Sequence, residues 1–340
     1  MTNMIGLMNL GNTCYINSCI QILNNINEVE IILKKYKNKL KKDNDDDIIT
    51  NEFLDLIELK YKSNKDKMAI ISPNKFIYNV KNISKKKNLS FYSNNEGDVV
   101  EFLFFIIECF NNSLNENISK NNKNTISTKI DIENKDFLKN NIRYINKKIE
   151  EYNYNDKSEI TELFYGSYLS FIESFNTSEI LSLNFQTFMI LDLCLINDKN
   201  ITIYDCFDFF TKKELLNSDN LFYNEKTKNY EKVYKYNKLW SLPNILLVVF
   251  NRFDNYNNKI NHIVDSPIEN VDFNKYVHSE DNKYIYDLTG IIYHYGNCNS
   301  GHYTCVIKKN NIFYEINDQY VSIAKNIIND KIYSFVYTKK

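Results

Sequence analysis

Apolar side chains at Ile16, Cys19, Ile20 and Leu23 repeat with the i, i+3, i+4, i+7 spacing of a helical face, which predicts a helix over residues 14–26 (CYINSCIQILNNI). Asn12 and Thr13 stand just before it as N-cap candidates. Positions 14, 17, 18 and 21 fall off the stripe, so Cys14 is expected to point away from the core face, while Cys19 lies on it and reads as packing. A second helix is predicted over Asp98–Phe110, with Glu101 and Glu108 bracketing its apolar face, and residues 41–47 (KKDNDDD) read as a charged surface loop. From Asn111 to Asp156 the chain is dominated by Asn, Lys, Ser and Ile, an insertion expected to be partly helical and partly loose.

The second half changes character. Phe185–Ile196, Ile245–Phe250, Tyr284–Tyr295, Tyr303–Lys308 and Ile312–Ile316 are short, rich in β-branched and aromatic residues, and bounded by turn signals, the marks of strands. A helix-rich part over about 1–160 and a strand-rich part over about 161–340 give an α+β fold class. The 111–156 segment lacks the Pro/Gly/Ser composition of a clean linker and no repeat is evident, so residues 1–340 are read as one domain.

Charge and composition narrow the picture. Lys and Arg (42) nearly cancel Asp and Glu (43), so no global field draws the chain to nucleic acid or to an anionic membrane. The longest apolar runs, Ile245–Phe250 and Phe102–Ile107, fall far short of the ~20 residues of a membrane span. The start, MTNMIGLMNLGNTCYINS, lacks the features of a signal peptide, and seven cysteines without dense spacing point to a reducing compartment. The expectation is a soluble, intracellular, cytoplasmic monomer. Glycine occurs seven times, against roughly 24 at average usage. Five of the seven flank Cys14 or His302 in sequence, which predicts backbone there that needs positive φ or close approach by another chain.

Cys14 falls at the predicted helix start, where the dipole and free N–H groups favour a thiolate and can lower a thiol pKa toward ~4–7 beside a cation. A nucleophilic thiol needs a base, and the base needs an orienting group. Of four histidines, His262 and His278 sit in polar loops, whereas His294 and His302 lie in YHYGNCNSGHYTCVI, either side of a turn between two strands. Gly301 leaves room for a substrate chain to pass beside His302. In YEINDQYVS, Asn317 and Asp318 end the next strand, and either could accept the His302 Nδ1–H.

These segments carry a family resemblance. GLMNLGNTCYINSCIQIL resembles the cysteine box of the ubiquitin-specific proteases, the papain-like deubiquitinases, and YDLTGIIYHYGNCNSGHYTCVI followed by YEINDQYV resembles their histidine box. GDVVEFL is similar to their QDAxEFL segment and LPNILLVVFNRF to their LPxxLxxxLKRF strand; the matches run in the family's order from Gly6 to Val321. The resemblance implies a papain-like cysteine protease fold with a helical N-terminal thumb and a β-rich palm and fingers. It implies a deubiquitinase, acting on ubiquitin and ubiquitinated proteins, with Cys14 as nucleophile, His302 as general base and Asn317 as third triad member. Asp318 matches an assisting acid, Asn9 an oxyanion donor, and Asp98 an acid that meets the basic ubiquitin tail. Gly301 and Tyr303, the neighbours of His302, go with Asp98 as substrate-binding positions. His294 matches a histidine that is not the base. With Cys14 so near Met1, no accessory domain is expected to precede the catalytic unit.

The chain also departs from the family pattern. Ser174, Thr177, Asn224 and Thr227 stand where many members have four zinc-binding cysteines, so no zinc and no other cofactor is expected, and Cys194 and Cys206 read as core. Glu96 stands where Gln is usual, Asn251 replaces the Lys of LKRF, and Asn317 removes a negative charge from the third position. Two other readings stay open: a catalytically inactive ubiquitin-binding module, and an isopeptidase for another ubiquitin-like modifier.

Overall fold

A computed structural model describes residues 4–65, 70–93, 95–115, 128–129, 158–196, 200–278, 283–298 and 300–340. The first half is helical: α1 (Cys14–Asn24), α2 (Asn27–Tyr36), α3 (Asp45–Lys65), α4 (Asn74–Lys86), α5 (Val99–Leu114) and the short α6 (Glu159–Phe164). A further helix, α7 (Ile203–Thr211), lies among the strands. The acidic run expected as loop opens a helix instead. Asn44 accepts hydrogen bonds from the N–H groups of Asp46 and Asp47, and Asp45–Asp47 then fill the first turn of α3, where carboxylates complement the helix dipole. Asp98 caps α5 in the same way, its Oδ1 accepting from Val100 N–H at 2.7 Å and Glu101 N–H at 3.0 Å. Most of the 111–156 insertion lies outside the described residues.

The principal strands are β1 (Gly166–Ser174), β2 (Ile180–Phe188), β3 (Ile190–Cys194), β4 (Val233–Ser241), β5 (Ile245–Asn251), β6 (Ile285–Gly296), β7 (Gly301–Lys309), β8 (Ile312–Asn317), β9 (Tyr320–Ile323) and β10 (Ile332–Lys339). The palm is an eight-stranded sheet in the order β9-β8-β7-β6-β10-β5-β3, with Val271–Asp272 paired to the side of β6. Its β5–β3 pair is parallel. The fingers are a five-stranded sheet in which β2, β1 and β4 are flanked by the short strands Thr128–Lys129 and Glu214–Leu216. The stretch expected as one strand over Phe185–Ile196 divides between these sheets, with Met189 at the crossing.

β5 explains how the layers join. Ile245, Leu247 and Val249 enter the core shared with the helices, while Leu246, Val248 and Phe250 enter a second core with Ile203, Phe207 and Phe273 on the other face. Burial on both faces is why this strand reads as an unbroken apolar run rather than an alternation. α1 packs across β7, burying Ile16, Ile20 and Leu23 to 2% exposure or less. Each such side chain contributes about 1.5–3 kcal/mol. Its off-stripe face, expected to point away from the core, is buried as well: Cys14, Asn17, Ser18 and Gln21 are all covered. Gln21 donates to the carbonyl of Ile5 at 2.8 Å, so the polar face of α1 grips the N-terminal segment. Among the described residues no helix is long and apolar enough to cross a membrane.

Candidate active site

Cys14 is the first residue of α1 and is 4% exposed. Thr13 occupies the cap position but does not cap the helix. Its hydroxyl accepts from Leu10 N–H at 2.9 Å and donates to Asn9 Oδ1 at 3.3 Å, so it braces the preceding loop. Gly11 (φ +94°) and Asn12 (φ 52°) bend that loop through the left-handed region. The thiol pKa is raised by burial, against the expectation of a depressed value. The backbone N–H groups of Tyr303 and Tyr15 oppose the shift, while the charges of Asp318 and Glu96 add to it. Desolvation outweighs the helix terminus here, so forming the thiolate calls for a proton acceptor.

A histidine comes near the thiol from the sheet. Because α1 lies on β7, the N–H of Tyr303 meets the Cys14 sulfur, and His302 is the residue before it. His302 Nε2 lies 2.8 Å from Asn317 Oδ1 at the end of β8. An amide oxygen can only accept, so Nε2 is the donor in this contact and Nδ1 is the ring nitrogen left for other partners. This reverses the tautomer expected from sequence, which had Nδ1–H as the donor to Asn317 or Asp318. Asp318 Oδ2 is 4.0 Å from Nε2, too far for a hydrogen bond.

Asp318 has other partners. Its Oδ2 accepts from Asn9 Nδ2 at 2.8 Å and its Oδ1 from Asn17 Nδ2 at 2.8 Å. Asn9 Oδ1 in turn accepts from the N–H groups of Gly11 (3.0 Å) and Thr13 (3.3 Å), which fixes the amide orientation at the cleft. Asn17 is absent from the residues expected at the site. The available signal was two amides, at 17 and 21, one turn apart on a helix otherwise dominated by apolar side chains.

Glu96 enters from the loop before α5, where its Oε2 accepts from Gly301 N–H at 2.5 Å. Asp98, with one oxygen capping α5, accepts from Tyr333 OH at 3.4 Å through the other. Tyr303 is 8% exposed, its ring tilted against His294 and edge-on to Tyr333, so what Tyr303 presents to the cleft is its backbone. Gly301 is required from inside the protein. A Cβ there would lie 2.1 Å from His294 Nε2. His294 itself is 4% exposed, and burial together with Lys259, whose ammonium is 3.2 Å from Nδ1, holds its pKa down to about 4. It is a neutral packed ring.

At the finger tips, Ser174 Oγ accepts from Thr177 N–H, and Asn224 and Thr227 both donate to the Glu231 carboxylate. None of the four supplies the soft ligand that zinc requires, and each pair closes its own turn. Among the described residues no group of three or more His, Cys, Asp or Glu stands together as a metal site. Cys206 is buried as expected, but Cys194 is exposed, because it points outward from the edge strand β3.

The family model described as ubiquitin carboxyl-terminal hydrolase matches residues 5–337. Ubiquitin carboxyl-terminal hydrolase Usp2 of Drosophila melanogaster is 25% identical over 342 residues, covering 98% of this chain and 34% of that protein. Ubiquitin carboxyl-terminal hydrolase 2 of Homo sapiens is 26% identical over 307 residues, 88% of this chain and 48% of that protein. The chain thus spans a third to a half of these relatives' length. In fold it is similar to the deubiquitinating module of SAGA containing Ubp8, Sgf11, Sus1 and Sgf73 bound to monoubiquitin, with a TM-score of 0.76 at 20% identity over 100% of this chain and 70% of that one. With the family match running almost from end to end over a thumb, palm and fingers architecture, the chain belongs to the ubiquitin carboxyl-terminal hydrolase family.

Proposed function

We propose that residues 1–340 act as one catalytic domain that hydrolyses the isopeptide or peptide bond after the C-terminal glycine of ubiquitin, with Cys14 as nucleophile. The observation that carries this reading is the His302 Nε2 to Asn317 Oδ1 contact of 2.8 Å, on a strand whose next N–H meets the Cys14 sulfur. His302 Nδ1 takes the thiol proton, and the sulfur attacks the glycine carbonyl. The oxyanion is held by the second N–H of the Asn9 amide and by backbone N–H groups at the uncapped start of α1, where such donors are worth about 3–4 kcal/mol. The imidazolium returns its proton to the departing lysine amine, leaving a thioester that water then hydrolyses. Asn317 keeps the imidazole in the working tautomer. Ubiquitin as substrate rests on the family and on neighbours whose structures hold ubiquitin; Asp98 and Glu96 supply negative charge for a basic tail approaching the cleft.

The test is labelling with ubiquitin carrying a C-terminal thiol-reactive group. Wild type and Cys19→Ala are expected to label and Cys14→Ala is not. Folded wild type that binds ubiquitin without labelling would make the chain an inactive recognition module. Labelling by a different diglycine-ended modifier, and not by ubiquitin, would reassign the substrate.

A further inference from the structure

Pairing a nucleophile with its base does not account for the buried polar face of α1. Asn17, one turn along from Cys14, is 2% exposed. One amide N–H meets Asp318 Oδ1 at 2.8 Å, while the carbonyls of Leu7 and Met8 lie 3.5 and 3.4 Å from the same nitrogen. Its Oδ1 is buried without a protein hydrogen-bond partner, as is Gln21 Oε1 on the same face. A polar group left half satisfied in the core lowers stability relative to an apolar side chain of the same shape. What sets Asn17 apart from Gln21, whose amide meets the Ile5 carbonyl, is that its own reaches the Asp318 carboxylate beside the nucleophile.

The geometry gives that contact a task. Asp318 sits at φ 49° in the turn between β8 and β9, with its carboxylate 10% exposed and one amide on each oxygen, Asn17 on Oδ1 and Asn9 on Oδ2. Oδ2 is also the oxygen 4.0 Å from His302 Nε2. A buried carboxylate that loses one donor turns toward another, and the protonated His302 ring is the cation at hand. Asn17 therefore acts twice on Asn9: through the Leu7 and Met8 carbonyls on the chain that carries it, and through Asp318 on its amide.

We propose that Asn17 is a positioning residue for the reaction, one that uses Asp318 to set the Asn9 amide against the oxyanion and keeps the Asp318 carboxylate away from His302. The proposal rests on the deubiquitinase reading above and assigns it a residue that touches neither substrate nor thiol.

The experiment is steady-state hydrolysis of a fluorogenic C-terminal amide of ubiquitin across pH, by wild type, Asn17→Ala, Asn9→Ala, the double variant and Asp318→Asn. Asn17→Ala is expected to lower kcat about 10- to 100-fold, the effect of a misplaced catalytic group, with KM unchanged within about twofold. The acid limb of its profile should move to higher pH as Asp318 pairs with the imidazolium. The double variant should be no slower than Asn9→Ala alone. Multiplying losses with an unmoved acid limb would show Asn17 to be merely structural and overturn the proposal. Should Asn17→Ala fail to fold, the isosteric Asp318→Asn carries the test. It should lose kcat to a similar extent without the upward shift, and retained kcat there would overturn the relay. Wild type inactive on the ubiquitin amide would instead bring down the deubiquitinase reading, and the proposal with it, whereas active wild type with unaffected variants would overturn this proposal alone.

Discussion

Acidification should destabilise the protein through His294 in a way that can be isolated. The ring is 4% exposed, lies against Tyr303 and Tyr333, and has the Lys259 ammonium beside Nδ1. Burial first, then the Lys259 charge, hold its pKa down to about 4 from 6.5. The unfolded chain, titrating near ~6.5, therefore binds the proton first as the pH falls. This source of stability is intact above about pH 6.5, declines by about 1.4 kcal/mol per pH unit below it, and is lost as the pH passes through about 4, for a total of about 3 kcal/mol. From pH 7 to pH 5 the loss is about 2 kcal/mol. Lys259, whose own pKa burial lowers to about 8, stays protonated throughout that window and adds nothing to the slope. The assay is urea unfolding followed by fluorescence of Trp240, the one tryptophan, for wild type and His294→Gln. The substitution imposes a constant packing cost, but its stability should fall less steeply with acid, by about 2 kcal/mol over the two units. Carboxylates common to both proteins cancel in the difference. Parallel slopes for the two proteins would refute the argument that the imidazole is held neutral by its surroundings.

Two further substitutions probe the frame around the site. A Cβ at Gly6 would lie 2.3 Å from the carbonyl oxygen of Gln319, backbone that cannot swing aside, so Gly6→Ala should cost about 1–3 kcal/mol in thermal unfolding. Turnover should fall with it, because the displaced hairpin carries Asn317 and Asp318. Glu231→Ala removes the shared acceptor of Asn224 and Thr227, and should cost about 1–2 kcal/mol and speed hydrogen exchange over 222–231. A chelator added to wild type should leave the melting temperature unmoved, and a fall would reveal a metal at the finger tip.

Much of this molecule is readable along the chain. The helical stripe of α1, the apolar runs of β5, β6 and β7, and the α+β order are short-range consequences of side-chain periodicity, and the motif-bearing segments appear where those patterns place them. The relative pKa values, the tautomer and the hydrogen-bond partners are not short-range. Burial of Cys14 overrides the helix terminus only because β7 and the Asp318 turn close over it. His302 uses Nε2 toward Asn317 because the β7–β8 pairing presents that edge of the ring. Phe185–Ile196 splits at Met189 because two sheets take up its halves, a division with no trace in hydrophobicity when both halves are buried. The four zinc positions show the same limit from the other side. Their residue types excluded the soft ligands from the outset, but that Glu231 would gather Asn224 and Thr227 depended on the fold of the turn. The sequence by itself determined the α+β order, the main apolar elements and which reactive side chains are present. The tertiary structure decided how each polar group is solvated and paired, since desolvation and hydrogen bonding depend on atoms brought together from distant parts of the chain.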